Sequence, residues 1–363
     1  MDSSGGEMEA VRGEKRMEER NKRLVVREER RKANAEKKKE KAEKEEMAAR
    51  VRKLYAKTVE AIRLKGRGES KEPWEQFRDH WMEEWGKGGH FGKFEDNTAI
   101  PPMRLTFSDF GSGYAMDTLQ FFSVKVARID DNLRWPLDVY GFVAVRDILD
   151  RKRNMIFCRD RDNCQTINEQ DPYLVLTGPT RAVAVSGDPS YFEVKLKVKG
   201  TVESEDKDFS LFASTYVSHS IKRVFTSKLS TLEMSCQELF YSVEATISVE
   251  VIDGSWPDGF HGEFSASTDS LPDMKVNLLK CGDDKLPIDD DGKIQLTRKV
   301  VSVELEGFLR VSIMAHGVNG KRLKSREAVF APKRSGTSSN SKIRVGSCRM
   351  EVTISWSLLA FGP

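Results

Sequence analysis

Histidine is scarce in this sequence, and the few that occur do not form a metal-binding pattern. There are five, His80, His90, His219, His261 and His316, with no His-x-x-x-His or His-Glu-x-x-His pair among them. The phosphate loop Gly-x-x-x-x-Gly-Lys-Ser/Thr and the nucleophile elbow Gly-x-Ser-x-Gly are missing too. Zinc hydrolases, P-loop enzymes and α/β-hydrolases depend on these patterns. We therefore predict no catalytic residue, no cofactor and no metal, and a protein that is not an enzyme.

Long apolar runs and paired cysteines are missing as well. No stretch approaches the roughly 20 apolar residues of a membrane span, and the N-terminal MDSSGGEMEAVRGEKR lacks the apolar centre of a signal peptide. The five cysteines are an odd number without a Cys-x-x-Cys motif, which is typical of reduced intracellular thiols. These features predict a protein that is not secreted and contacts no membrane. We expect it in the cytoplasm, with the nucleus as the alternative.

Charge is abundant but unevenly distributed. Residues 1–70 hold 22 Lys and Arg against 15 Asp and Glu, a net +7, so the overall +3 leaves −4 for the rest. Residues 1–68 are rich in helix-forming Ala, Glu, Lys and Arg, with opposite charges three or four apart. They predict a long charged helical, partly disordered arm, in which sustained apolar coiled-coil positions are missing. A weak nuclear-import or RNA-contacting tail is the alternative, and self-association stays open.

Residues 69–102 predict a short amphipathic aromatic helix followed by a linker. Pro73 suits the first turn of a helix and Gly86 suits its end. Between them the large apolar residues share one face: Trp74, Phe77, Trp81, Met82 and Trp85. A helix this aromatic must bury that face. It could pack on the protein's own β-domain, or it could bind a partner or a second copy.

Residues 103–363 predict an all-β domain, either a sandwich or a barrel-like fold. Segments such as LQFFSVKVARI, YFEVKLKVKG and VEATISVEVI alternate apolar and polar residues with a period of two. Turn signals such as Asp291-Gly292 separate them. No pattern of helix length interrupts the series, which argues against parallel β/α folds.

A weak internal repeat divides this domain into two predicted units, about 103–200 and 229–357, with a bridge at 201–228. Val124-x-Val126-x-x-Ile129-Asp130 matches Ile247-x-Val249-x-x-Ile252-Asp253. Two further matches follow in order, Leu176–Arg181 with Leu305–Arg310 and Phe192–Val198 with Met350–Trp356. After the first match each unit has a Trp-Pro pair and then a glycine: Trp135, Pro136 and Gly141, then Trp256, Pro257 and Gly262.

The Trp-Pro segments indicate corners that join two strands. Tryptophan supplies a large plug for the end of a core, and proline suits a loop or an edge. Asp130 and Asp253 can bind nearby backbone amides. The alternative is a pair of loops that form a ligand or partner site, or that hold calcium with these aspartates.

Several segments, taken as a set, resemble one plant family. They run from about Asp117 to Leu359 and include LRWPLDVYGFVAVRD, DPYLVLTGPTRAV, TSKLSTLE and MEVTISWSLL. They are similar to the grass-expanded domain of unknown function 6598, which has no established activity. A related module resembles the C-terminal part of a cereal jasmonate-induced ribosome-inactivating protein. The Glu-Ala-x-Arg helix of the depurinating domain is not matched, because Glu244-Ala245 is followed by Thr246-Ile247 in an alternating strand.

The sequence therefore favours a non-enzymatic protein-interaction or stress- and defence-associated β-module with an unidentified protein partner. The alternative is an RNA- or ribosome-associated defence protein that lacks the depurinating domain. The candidate structural or interaction residues are Trp74, Trp81, Trp85, Trp135, Pro136, Gly141, Trp256, Pro257 and Gly262.

Overall fold

Strands dominate the part of the chain that the structure describes. The computed structural model describes residues 71–108, 113–216, 221–281, 286–317, 322–324 and 327–362. The predicted charged arm at 1–68 lies outside these residues. From Lys71 onward the chain forms one unit with three antiparallel sheets, so the prediction of an all-β main domain is confirmed. Among the described helices, none has the length and apolarity to cross a bilayer.

The predicted aromatic helix is present. Helix α1 (Pro73–Trp81) has proline in its first turn, where a missing N–H costs no hydrogen bond. A π-helical turn (Met82–Gly86) extends it to the predicted end. Phe77 and Trp81 are its buried residues. The helix lies on the β-domain, where the Phe77 ring is 4.8 Å from that of Tyr191.

The first group of strands forms one sandwich together with half of a later strand. In chain order these strands are β1 (Met116–Ile129), β2 (Leu137–Arg146), β3 (Asn154–Arg159), β4 (Gln165–Ile167), β5 (Val183–Val185), β6 (Tyr191–Val198), β7 (Lys207–Thr215) and β8 (Lys222–Ser227). The long strand β9 (Ser230–Asp253) completes this sandwich with its first half. A short 3-10 turn (Glu203–Glu205) lies between β6 and β7.

The second half of β9 begins another sandwich. Its other strands are β10 (Phe260–Thr268), β11 (Leu271–Lys280), β12 (Val300–Glu304), β13 (Leu309–Gly317), β14 (Arg322–Lys324), β15 (Ala328–Phe330), β16 (Ser335–Val345) and β17 (Cys348–Ser357). Each sandwich encloses its own hydrophobic core. Apolar side chains at every second strand position fill these cores. In β13, for example, Leu309, Val311 and Ile313 point inward.

The two sandwiches have the same strand order. In the first, the sheets run β5-β1-β9-β8 and β3-β2-β6-β7. In the second, they run β12-β9-β17-β16 and β11-β10-β13-β15. Along the chain, β9 is the last strand of the first sandwich and also the first strand of the second.

This order distinguishes between two of the three sequence matches. The Val124–Asp130 and Ile247–Asp253 segments lie in β1 and in the second half of β9, which hold equivalent places. Phe192–Val198 is β6, which pairs with β2, whereas Met350–Trp356 is in β17, which pairs with β9. That match therefore joins strands from non-equivalent sheets, and only the first match of these two follows the topology.

The stretch predicted as a bridge, 201–228, contains β7 and β8 of the first sandwich. The first core also includes Leu232, Met234 and Cys236 from β9. A bend at Tyr241, whose φ of 47° is left-handed, marks where β9 passes to the second core. The first sandwich therefore continues well beyond residue 200.

A buried carboxylate connects the two sandwiches near this bend. Glu244 accepts hydrogen bonds from the backbone N–H groups of Met103 and Ala182, each at 2.8 Å. Burial raises the pKa of Glu244, while these two bonds and then Arg181 oppose the rise. The residue thus joins β9 to the segment before β1 and to the segment before β5.

A buried arginine makes a second connection. Arg298 precedes β12, yet its Nε donates to Gly178 O at 2.7 Å and its Nη2 to Phe121 O at 2.8 Å, both in the first sandwich. Burial lowers the pKa of Arg298 to about 10. The Arg298 guanidinium thus binds backbone carbonyl groups across the junction between the two sandwiches.

Candidate functional site

The two Trp-Pro pairs lie in loops that join equivalent strands. Trp135 and Pro136 precede β2, and Trp256 and Pro257 precede β10. Each indole is half-buried and packs against the core of its own sandwich. Trp256 Nε1 donates to Phe260 O at 2.8 Å, and the Trp135–Pro136 bond is cis. Both indoles therefore contribute packing at the end of a core.

The two glycines of the repeat meet different constraints. Gly141 has a φ of +112°, and a Cβ there would lie 2.1 Å from Lys195 O. A Cβ at Gly262 would instead lie 3.0 Å from Phe264 Cε2 and 3.4 Å from Trp256 Cζ2. Backbone geometry requires the first glycine, whereas close side-chain packing favours the second.

The three helix tryptophans face the protein's own sheet. Trp81 is fully buried, and its Nε1 donates to Arg151 O at 3.0 Å. Trp74 is half-buried, and its Nε1 lies 3.3 Å from Glu193 Oε1. The Trp85 ring lies 5.9 Å from that of Tyr191. The aromatic face of the helix is therefore occupied by contacts within this chain.

A buried ion-pair cluster lies beneath the helix. Glu193 has no exposed side-chain surface; its Oε2 accepts from Arg146 Nε at 2.8 Å and its Oε1 from Arg153 Nη2 at 2.6 Å. The Arg146 guanidinium lies 4.3 Å from the Phe94 ring centroid. Burial lowers the pKa of Arg146, and Glu193 opposes that change. One carboxylate thus balances two buried guanidinium groups.

The aspartates of the repeat hold local contacts. Asp130 Oδ1 accepts from the N–H of Asn132 at 3.0 Å and from its Nδ2 at 2.7 Å. Asp253 lies 3.9 Å from Arg349 Nε. Within the described ranges, no three His, Cys, Asp or Glu side chains converge as a metal site requires. Calcium binding by the paired loops gains no geometric support from these positions.

Asp206 anchors the turn between β6 and β7. Its carboxylate accepts from Arg161 Nε at 2.8 Å, from Tyr140 OH at 2.5 Å and from Gly200 N–H at 2.7 Å. The hydrogen bonds from Arg161 and then Tyr140 hold the pKa of Asp206 well below its usual range. Burial, followed by the hydrogen bond to Asp206, raises the pKa of Tyr140 to about 12. The turn is therefore held by a charged network.

We expect Asp206→Asn to destabilise the protein at neutral pH, because it removes the charged acceptor. A carboxylate whose folded-state pKa is lowered adds stability above its unfolded pKa, and loses that contribution as pH falls through its folded pKa. The difference in urea midpoint between wild type and variant should be full at pH 7 and shrink below about pH 4. Asp162→Asn, an exposed change in the nearby β3–β4 loop, is the control. A difference as large at pH 3 as at pH 7 would contradict this account.

An open groove lies where β1, β8 and β9 meet. It has a volume of about 210 Å³ and is lined by Arg128, Ile129, Asp130, Thr226, Lys228, Leu229, Ser230 and Thr231. We call it the Arg128 groove. Arg128 stands opposite Thr231, which stands opposite Thr226, so these three form one row across neighbouring strands. The two threonine hydroxyls lie 3.0 Å apart.

The β8–β9 turn closes one end of this groove. Lys228 has a left-handed φ of 52°, and its Nζ lies 3.0 Å from Glu72 Oε1, beside the start of helix α1. The N–H of Asp130 donates to Leu229 O at 2.9 Å, which joins the two walls. The groove therefore combines two cations, one carboxylate and two exposed or half-exposed hydroxyls with the half-buried apolar residues Ile129 and Leu229.

Apart from Asp130, which was considered as a calcium ligand of the Trp-Pro loops, sequence reasoning did not select these groove residues as a site. Arg128 and Thr226 are more than 90 positions apart, and only strand register brings them together. A signal was present for the β8–β9 side of the groove, since the segment TSKLST belongs to a motif that carries the family resemblance. This segment has no residue pattern that indicates a particular chemistry by itself.

Comparisons with known proteins show the family and leave the activity open. The model of the family described as a domain of unknown function, DUF6598, matches residues 118–354. No curated protein matches the chain.

Solved structures offer only faint likeness. The two C2 domains, A and B, of extended synaptotagmin 2 are 8% identical, cover 73% of this chain and 99% of their own, and have a TM-score of 0.23. Human GIVD cytosolic phospholipase A2 is 10% identical, covers 69% of this chain and 31% of its own, and has a TM-score of 0.22. Scores this low carry no argument about fold or function. The family match spans well over half of the residues, and the chain belongs to the DUF6598 family.

Proposed function

We propose that this protein is a non-enzymatic binding module of the plant cytoplasm or nucleus, with a role in stress or defence. The observation that supports it most is the Arg128 groove, whose polar lining is open to solvent. By contrast, the buried carboxylates of Glu193 and Glu244 are occupied by internal hydrogen bonds. A partner protein binds at the groove, and the charged arm at 1–68 acts as a tether.

We also propose that the two sandwiches derive from one duplicated unit, because their strand orders agree. Superposing one sandwich on the other tests the idea. Strand β1 should coincide with the second half of β9, and β6 with β13. A best superposition that places β6 on β17 would contradict the duplication.

The binding role can be tested by blocking the groove without changing its charge. Thr226→Tyr places a bulky ring at an exposed position, and Thr337→Tyr makes the matched change at an exposed threonine of β16. Both full-length variants and the wild type are used to capture proteins from RNase-treated plant extract. A captured protein is then purified and its binding to the three chains measured. Binding lost only with Thr226→Tyr supports the proposal, and equal binding by all three removes it.

A second candidate is an RNA- or ribosome-associated defence role, similar to the module of the ribosome-inactivating protein but without depurination. A specific observation favours it. The outward face of β1, β9 and β8 carries Lys125, Arg128 and Lys222, with Lys228 at its end, and also Glu233, which stands opposite Lys125 and pairs with Lys222. A cationic face of this kind attracts a phosphate backbone.

A further inference from the structure

The charge balance of the Arg128 groove leaves one cation without an internal partner. Lys228 pairs with Glu72 at 3.0 Å, and Lys222 pairs with Glu233 at 3.1 Å. Asp130 uses its carboxylate on Asn132. In the portion of the chain that the structure describes, Arg128 has neither an ion pair nor a hydrogen bond from its side chain, and it is exposed.

The groups around this arginine suit a phosphate group. A guanidinium presents donors in a planar fork that matches phosphate oxygens, and its charge persists at every physiological pH. The hydroxyls of Thr231 and Thr226 lie in the same cross-strand row; one donates to the other at 3.0 Å, which leaves the second O–H as a further donor. Cross-strand neighbours have Cβ atoms about 5 Å apart, so the three side chains can converge on one tetrahedral anion.

The surface beyond the groove extends this chemistry along β1. Lys125 lies on the same outward face as Arg128, and its Nζ is 5.7 Å from the ring centroid of Tyr173. The Tyr173 residue is 44% exposed, which leaves ring surface for a base to stack on. Cations that follow a strand, with an aromatic ring beside them, are the arrangement that binds single-stranded nucleic acid.

We propose that the Arg128 groove binds a backbone phosphate of a single-stranded RNA, with Glu72 as an internal competitor. The Glu72 carboxylate occupies Lys228 in the unbound protein, and this lysine turns to the phosphate when Glu72 is displaced. The proposal rests on the second candidate function and names the group that the face recognises. It assigns Arg128, Thr226 and Thr231 to the phosphate and Tyr173 to a neighbouring base.

The test measures anisotropy of a fluorescein-labelled 20-nucleotide oligouridine with full-length protein at 50 and 200 mM salt. Arg128→Ala should weaken binding about tenfold and reduce the salt slope by about one. Arg128→Lys should recover only part of the loss. Glu72→Gln should strengthen binding about two- to fivefold, since an exposed ion pair is weak. Arg344→Ala, at an exposed arginine of β16, is the matched control.

Residues 1–70 carry a net +7 and are the same in every variant, so the ratios of affinities between variants report the groove. Circular dichroism melts confirm that the variants fold. Equal affinities for wild type, Arg128→Ala and Arg344→Ala would overturn the proposal. Displacement of the RNA by a phosphoserine peptide at equal phosphate concentration would overturn the RNA assignment. If RNA binding is independent of Arg128 while Thr226→Tyr still abolishes protein capture, the groove is a protein-binding site and only this inference fails.

Discussion

Replacing Glu193 with alanine is expected to lower the free energy of unfolding by about 3–5 kcal/mol, because it leaves two buried guanidinium groups without their carboxylate. Arg146 and Arg153 contact Glu193 at 2.8 and 2.6 Å, and the Glu193 side chain is 0% exposed. Phe94 holds one of these guanidinium groups against its ring. No other carboxylate is bonded to Arg146 within the described part of the chain.

Helix α1 should be the first element to respond when the Glu193 carboxylate is removed. Trp74 also contacts the Glu193 carboxylate, so its fluorescence changes when the cluster opens. Urea unfolding followed by tryptophan fluorescence and by circular dichroism measures the effect. Glu193→Gln keeps the volume and one acceptor, and should lose less stability. Glu169→Ala, at an exposed loop position, is the control, and a Glu193→Ala midpoint equal to that of Glu169→Ala would refute the structural role of the cluster.

Removing Glu244 is expected to cost about 2–4 kcal/mol and to loosen the junction between the sandwiches. A buried N–H left without an acceptor costs about 1–3 kcal/mol; Glu244→Ala orphans the buried N–H of Ala182 and also removes the acceptor of the part-buried Met103 N–H. Glu244→Gln keeps only one of the two hydrogen bonds, because its side-chain NH₂ would face the other backbone N–H and two donors cannot bond to each other. Glu250→Ala, in the same strand and half-exposed, is the control.

Substitution of Glu244 also separates a structural role from a catalytic one. Glu244-Ala245 is the part of this chain that partly resembles a depurinating motif, yet Glu244 is only 4% exposed and its carboxylate is bound to backbone N–H groups. We expect Glu244→Gln to lower stability with no change in any RNA binding measured under conditions where the variant is folded. Unchanged thermal and urea midpoints in Glu244→Gln would show that the two N–H bonds do not support the fold.

Much of the fold was accessible from sequence because it depends on local patterns. Pro73 and Gly86 bound the aromatic helix where helix-end chemistry places them. Period-two alternation predicted the strands and the all-β class. Trp135 and Trp256 both follow strands that hold matching places in the two strand orders, and the duplication that their spacing indicated stays a prediction.

The remainder depends on contacts that alternation cannot encode. The inward side chains of β9 are at even positions in its first half, such as Leu232 and Met234, and at odd positions in its second half, such as Val243 and Ala245. A change of phase within one strand does not identify two separate cores, and the sequence prediction assigned all of β9 to the second unit. The match of Phe192–Val198 with Met350–Trp356 arose because inward-facing strands of different sheets share the same alternation. The Arg128 groove requires the register of three strands, and no spacing along the chain reveals it.

The central claim is that β9, with the contacts of Glu244 and Arg298, makes one cooperative unit of the two sandwiches. Native-state hydrogen exchange with mass spectrometry in increasing urea tests it most directly. Peptides from β2 and β6 report the first core, and peptides from β10 and β13 report the second. The account predicts that the slowest amides of both sets open with the same free energy and the same urea dependence. Opening of one sandwich at a clearly lower urea concentration, while the other stays protected, would contradict it.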